Sequence, residues 1–150
     1  MNADIRPSGA LELAQRFVDE VWNRGHYGAL AELMSEPYEV VTLNHGAPPL
    51  GNQTRQQMTQ HVREFRDAIP DLRLEVVESL DAGDHACLFT RLTGTQRGPL
   101  MGLPPSNQPV VATLAAIYRA REGRLTGHTV LADMMGLMPG PPLGFGPAGH

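Results

Sequence analysis

The chain has 150 residues, a formal net charge of −4 and a single cysteine, Cys87. That length suits one ordinary domain with its own core. One cysteine excludes an internal disulfide and a cysteine-based zinc site, and fits a reducing compartment. All 12 cationic side chains are arginine, which removes Schiff-base lysine chemistry and a pyridoxal-phosphate aldimine.

The charges are interspersed with no basic block, so no nucleic-acid partner is expected. The polar N-terminus has no apolar signal core, and no run approaches the roughly 18 apolar residues of a membrane span. The expectation is a cytoplasmic protein with no membrane partner.

In chain order, Ser8 opens a first helix on which Leu13, Phe17 and Val21 recur at i, i+4 and i+8, with Ala14, Val18 and Trp22 alongside. Asn23 and Gly25 end it. A short second helix is predicted from about Gly28 to Met34, broken by Pro37. Tyr38–Leu43 is strand-like and leads to an Asn44-His45-Gly46-Ala47-Pro48-Pro49 loop. Thr54 and Gln57 have capping-box spacing, and Met58, Val62, Phe65 and Ile69 then mark a third helical face.

From Leu72 the period becomes two, with turns at Asp81-Ala-Gly-Asp84 and Arg121-Glu-Gly-Arg124 and strands over 86–95, 110–119 and 125–131. Helices first and hairpin-linked strands later predict an α+β domain, its helices packed on one face of an antiparallel sheet. Val110–Arg119 is apolar on both faces, so the outer face is expected to be covered too, in a homodimer or homotetramer. Pro139 to Gly149 is so rich in Gly and Pro that it reads as a tail outside the domain of residues 1–138, or as a strap anchored by Leu143 and Phe145.

Between two of the strands lies Gly98-Pro-Leu-Met-Gly-Leu-Pro-Pro105, followed by a strand ending in Tyr118-Arg119 and by the Glu122-Gly123-Arg124 turn. This loop–strand–turn series resembles the SnoaL-like polyketide cyclases of the nuclear-transport-factor-2-like superfamily, over roughly Leu11 to Leu137. The resemblance implies a cystatin-like α+β barrel: a cone-shaped, curved antiparallel sheet with three N-terminal helices and an internal cavity. It also implies a small-molecule substrate.

The same resemblance places His128 on the last strand at a histidine position of the family. It places Val130 where the cyclases carry their acid/base aspartate, and Leu114 and Ala116 where they carry polar neighbours. Side chains alternate along a strand, so His128 and Val130 share a face. His128 is left as either a hydrogen-bonded core residue or the main proton-transfer group at neutral pH. Asp133 either caps a turn or supplies a carboxylate at the cavity rim.

Asn44 and His45 sit where the family has ligand-contacting loop residues and can polarise a carbonyl. Trp22, Tyr38 and Tyr118 are candidate aromatic contacts with core or strand roles as the alternative, and Met101 is a candidate cover for the cavity mouth. His61 reads as part of a solvated helix face, and Cys87 as an inert thiol. No histidine spacing suits a metal, and no phosphate-binding glycine loop opens a helix. No cofactor is expected.

The leading expectation is a cyclase-type enzyme, of isomerase or lyase chemistry in secondary metabolism, acting on a largely apolar substrate that is polyketide-derived. The resemblance also admits epoxide opening and cofactor-free hydroxylation. From a different class, a non-catalytic binding or dimerisation module fits the loss of the aspartate.

Overall fold

The computed structural model describes residues 8–47, 50–133 and 136. The tail from Pro139 to Gly149, with Leu143 and Phe145, lies outside them. Helix α1 (Ala10–Arg16) runs directly into a π-helical stretch, Phe17–Asn23. Leu13, Ala14, Phe17, Val18, Val21 and Trp22 are all buried, as the i, i+4, i+8 pattern requires. Gly25, at φ 70°, turns the chain out of the helix. Beside it Arg66 donates from one guanidinium nitrogen to the carbonyls of Trp22 and Asn23.

A 3-10 turn (Tyr27–Ala29) and helix α2 (Leu30–Leu33) follow. Strand β1 (Met34–Thr42) starts before the sequence pattern indicates, and Pro37 lies inside it rather than ending the helix. The Glu36–Pro37 bond is cis, and the pairing register slips between Met34 and Glu39. Pro37 therefore occupies a gap in the ladder where its missing N–H costs no strand bond. The short strand β2 (Gly51–Gln53) had no sequence signal; it pairs antiparallel with β1 at the sheet edge.

Helix α3 (Arg55–Ala68) has the capping box expected of it. The Thr54 hydroxyl accepts from the Gln57 N–H, and the Gln57 side chain accepts from the Thr54 N–H. Met58, Val62 and Phe65 face inward.

Four long strands complete the fold: β3 (Arg73–Asp81), β4 (His85–Thr95), β5 (Pro109–Arg121) and β6 (Arg124–Asp133). The β5–β6 turn holds Glu122 and Gly123 at φ 53° and 78°, the two left-handed positions of a tight hairpin. The sheet order is β2-β1-β6-β5-β4-β3. All pairs are antiparallel except β1 with β6, because the chain leaves β1, crosses through α3 to the far edge and meanders back.

The sheet is curved and unclosed, with the helices on its concave side, which makes this an α+β fold of the nuclear-transport-factor-2-like kind. Gly127 lies opposite Glu39 in the parallel pair, where a Cβ would come 2.5 Å from the Glu39 carbonyl oxygen. A side chain there would hold the two strands apart; glycine lets β1 and β6 meet, one residue from His128 and from Tyr38. Among the described residues no helix is long and apolar enough to cross a membrane.

Candidate functional site

Between the concave face and the helices lies a cavity of about 360 Å³, within the usual range for a small-molecule site. Much of its sheet wall comes from alternate residues of β4, β5 and β6, with Val40 and Thr42 of β1 and Leu74 of β3 beside them. Leu88, Thr90 and Leu92 of β4 stand beside Ala116, Leu114 and Ala112 of β5. Those in turn face Val130 and Ala132 of β6. Phe17, Trp22, Met58 and Phe65 close the helical side. The strand alternation expected for Leu114, Ala116, His128 and Val130 is the register observed.

The two ends differ. Exposed Leu50 and Met101 border one end, which is the mouth. At the other, Tyr118 lies directly across from His128 in the β5–β6 ladder, their rings 5.0 Å apart, and Phe17 packs edge-on against Tyr118. Tyr38 is 0% exposed and does not line the cavity; its hydroxyl lies 2.6 Å from His128 Nδ1, behind the wall.

Burial sets the protonation of this cluster. Loss of solvent pushes the His128 pKa down to about 3, with the nearby His61 and Arg119 adding repulsion. Desolvation holds the Tyr38 phenol well above its usual pKa and raises that of Tyr118 as well. At neutral pH all three are uncharged. An imidazole so hard to protonate is a poor match for a general base working near pH 7.

Other candidates fall in different places. Trp22, Met101 and Tyr118 line the cavity. Asn44 also lines it, but its amide donates to the Ala132 carbonyl and accepts from the Ala132 N–H, extending the β6 ladder. That pairing ties the loop after β1 to the end of β6 and leaves the second Asn44 N–H outside it. His45 is exposed and off the wall. Asp133 pairs with Thr113 on the face opposite Ala132, exposed, so the alternation that brings His128 inward carries Asp133 outward. Neither joins the cluster at the closed end.

His61 was missed. It lies three residues after Met58 and four before Phe65, on the same helical face, and its ring meets Trp22 and Phe65 edge-on. The i, i+3, i+4 spacing was the available signal. Its surface is exposed, yet desolvation lowers its pKa; a side chain on the wall of an open cavity meets both conditions.

No aspartate, glutamate or arginine lines the cavity among the described residues, and no cluster of three His, Cys, Asp or Glu side chains there can hold a metal. What remains is an apolar chamber whose polar groups are neutral.

The family model for SnoaL-like polyketide cyclases matches residues 12–140, and the chain belongs to that family. A protein assigned as a polyketide cyclase from Acidithiobacillus ferrooxidans is similar over 89% of this chain and 94% of its own, at 26% identity and a TM-score of 0.73. AclR from Streptomyces galilaeus, assigned as a hydroxylase, shares the fold at 24% identity and TM-score 0.70, over 85% of this chain and 91% of its own. So does a protein of ketosteroid-isomerase-like fold from Catenulispora acidiphila DSM 44928, at 18% identity and TM-score 0.64, over 83% and 88%. No curated protein sequence matches this one.

Proposed function

We propose that the protein is a cofactor-independent, cyclase-type enzyme of secondary metabolism that closes a ring in a largely apolar, polyketide-like chain. The observation that carries this reading is the largely apolar chamber, with Tyr118 and His128 side by side at its inner end, in a member of a cyclase family. An extended chain entering past Met101 is held against Leu114, Ala116 and Val130, with its leading polar group at His128. Orientation of this kind contributes about 7–11 kcal/mol of barrier lowering in favourable intramolecular reactions, so few ionisable groups are needed. Isomerase or lyase chemistry and a cytoplasmic setting accompany this reading; the lone thiol supports the latter.

A homodimer belongs to the same proposal. Phe89, Ala115 and Leu131 form a row across three strands on the outer sheet face, with Ile117 and Val111 close by. Light scattering that gives a monomer mass at all concentrations would remove the dimer.

The test of activity is incubation with linear poly-β-ketone thioesters, followed by mass-resolved chromatography for dehydrated or isomeric cyclic products. Products that form faster than in buffer support the enzyme. One observation favours a second reading, a non-catalytic small-molecule carrier: the absence of any carboxylate from the described cavity wall. Saturable binding of those thioesters without turnover would select it.

A further inference from the structure

We infer that the closed end of the cavity is a subsite for a carbonyl or enolate oxygen, held by the Nε2–H of His128 and the hydroxyl of Tyr118, with Tyr38 as the positioning residue that sets the imidazole tautomer. This deepens the small-molecule reading above and rests on it.

The proton count starts at Tyr38. Its hydroxyl is fully buried and has one hydrogen-bond partner among the described residues, His128 Nδ1, at 2.6 Å. A buried phenol proton requires an acceptor, so Tyr38 O–H donates and Nδ1 accepts. A neutral imidazole carries one proton, and with Nδ1 accepting, that proton sits on Nε2. Nε2 makes no bond to the described residues, yet every fully buried side-chain nitrogen and oxygen among them has a partner. Nε2 therefore keeps open surface, on the cavity wall that His128 helps form.

The same holds for Tyr118: its hydroxyl has no partner among the described residues, is not fully buried, and belongs to a wall residue directly across the ladder from His128. Two neutral donors thus stand together where no carboxylate competes for them. A ligand must bring the acceptor. A ketone, thioester carbonyl or enolate does so; a hydrocarbon leaves the donors unmet, and an ammonium sets donor against donor. As negative charge grows on that oxygen during carbon–carbon bond formation, the donors are already aimed at it. His128 then works as a hydrogen-bond donor and not as the base.

Two measurements on the full chain test this. In ¹⁵N-labelled protein, long-range ¹H–¹⁵N spectra at neutral pH read each His128 ring nitrogen. Nε2 should be protonated and Nδ1 an acceptor, with the two tautomers mixing in Tyr38→Phe. A proton on Nδ1 in the wild-type protein overturns the assignment. The second measurement uses 1-tetralone, carbonyl-labelled with ¹³C, and its hydrocarbon analogue tetralin.

The ketone should bind roughly tenfold more tightly than tetralin, about 1.4 kcal/mol, with its carbonyl stretch shifted to lower frequency. Tyr118→Phe should lose most of both effects. Equal binding of ketone and hydrocarbon with an unshifted stretch sinks the oxygen subsite while leaving the apolar cavity intact. Failure of both probes to bind overturns the cavity reading as well.

Discussion

Strands β4, β5 and β6 present similar residue types on their two faces, yet the faces meet different surroundings. On the concave face Leu88, Ala116 and Tyr118 are buried beneath the helices. On the convex face, one residue along, Phe89 is 41% exposed, Ile117 47% and Leu131 50%. Hydrophobic side chains line both faces, but among the described residues only the concave one has helices to cover it. Apolar alternation therefore marks where strands run and not which face holds the site; that depends on which side receives α1 and α3. The concave face also carries the buried polar residues Thr90 and His128, and the convex face carries ion pairs such as Arg119 with Glu39.

The sharpest contrast between the faces comes from adjacent substitutions. Leu88→Asp places an unpaired carboxylate in the core and should cost more than about 4 kcal/mol, enough to lose cooperative unfolding in a denaturant melt. Phe89→Asp, on the other face, should change monomer stability by no more than about 1 kcal/mol but lower the mass seen by light scattering. Equal destabilisation by the two would erase the distinction.

The pH response isolates the polar end of the concave face. The His128 pKa falls from 6.5 unfolded to about 3 folded, so the unfolded chain binds the extra proton between those values. Its contribution is complete above the unfolded pKa and declines as pH drops through it. That loss approaches about 3–5 kcal/mol at the acid limit and is about 2 kcal/mol by roughly pH 5. His61, with its pKa lowered too, adds in the same direction. Urea titrations of wild type and His128→Phe should show a flatter slope above about pH 5 in the variant, where carboxylates contribute little; parallel slopes would contradict the assignment.

Gly127→Ala tests how the closed end is assembled. The added Cβ would collide with the Glu39 carbonyl and should cost about 1–3 kcal/mol, with spectral changes concentrated at Tyr38 and His128. A neutral effect confined to residue 127 would mean that β1 and β6 have slack. The smallest effect is expected at Thr54→Ala, which removes half of the capping box from the helix over the cavity, at about 1 kcal/mol, read as a shift in denaturation midpoint.

What could be read from the sequence was whatever local chemistry decides. The Thr54–Gln57 box, the Glu122-Gly123 turn and the period-two runs each depend on a few neighbouring residues, and the cavity-facing set Leu114, Ala116, His128 and Val130 follows from alternation once a face is chosen. Contacts between distant segments could not be read. Pro37 sits within β1 because pairing with β6 slips around it, and β2 exists only because β1 offers an edge. Tyr38 and His128 are 90 positions apart, so their bond is invisible until the parallel pair forms. Asp133 was left as either a turn cap or a rim carboxylate, and its parity along β6 turns it outward.

Arg66 ties the last carbonyls of the π-helical stretch, at Trp22 and Asn23, to the final turn of α3. Asn23 in turn exchanges two hydrogen bonds with the backbone of Leu74 on β3. Helix one, helix three and the far edge of the sheet are thereby latched at one corner. The roof of the chamber cannot peel back one helix at a time, and its amides should exchange with solvent as a single cooperative block. Traffic into the chamber is left to its mouth, where Leu50 and Met101 are exposed.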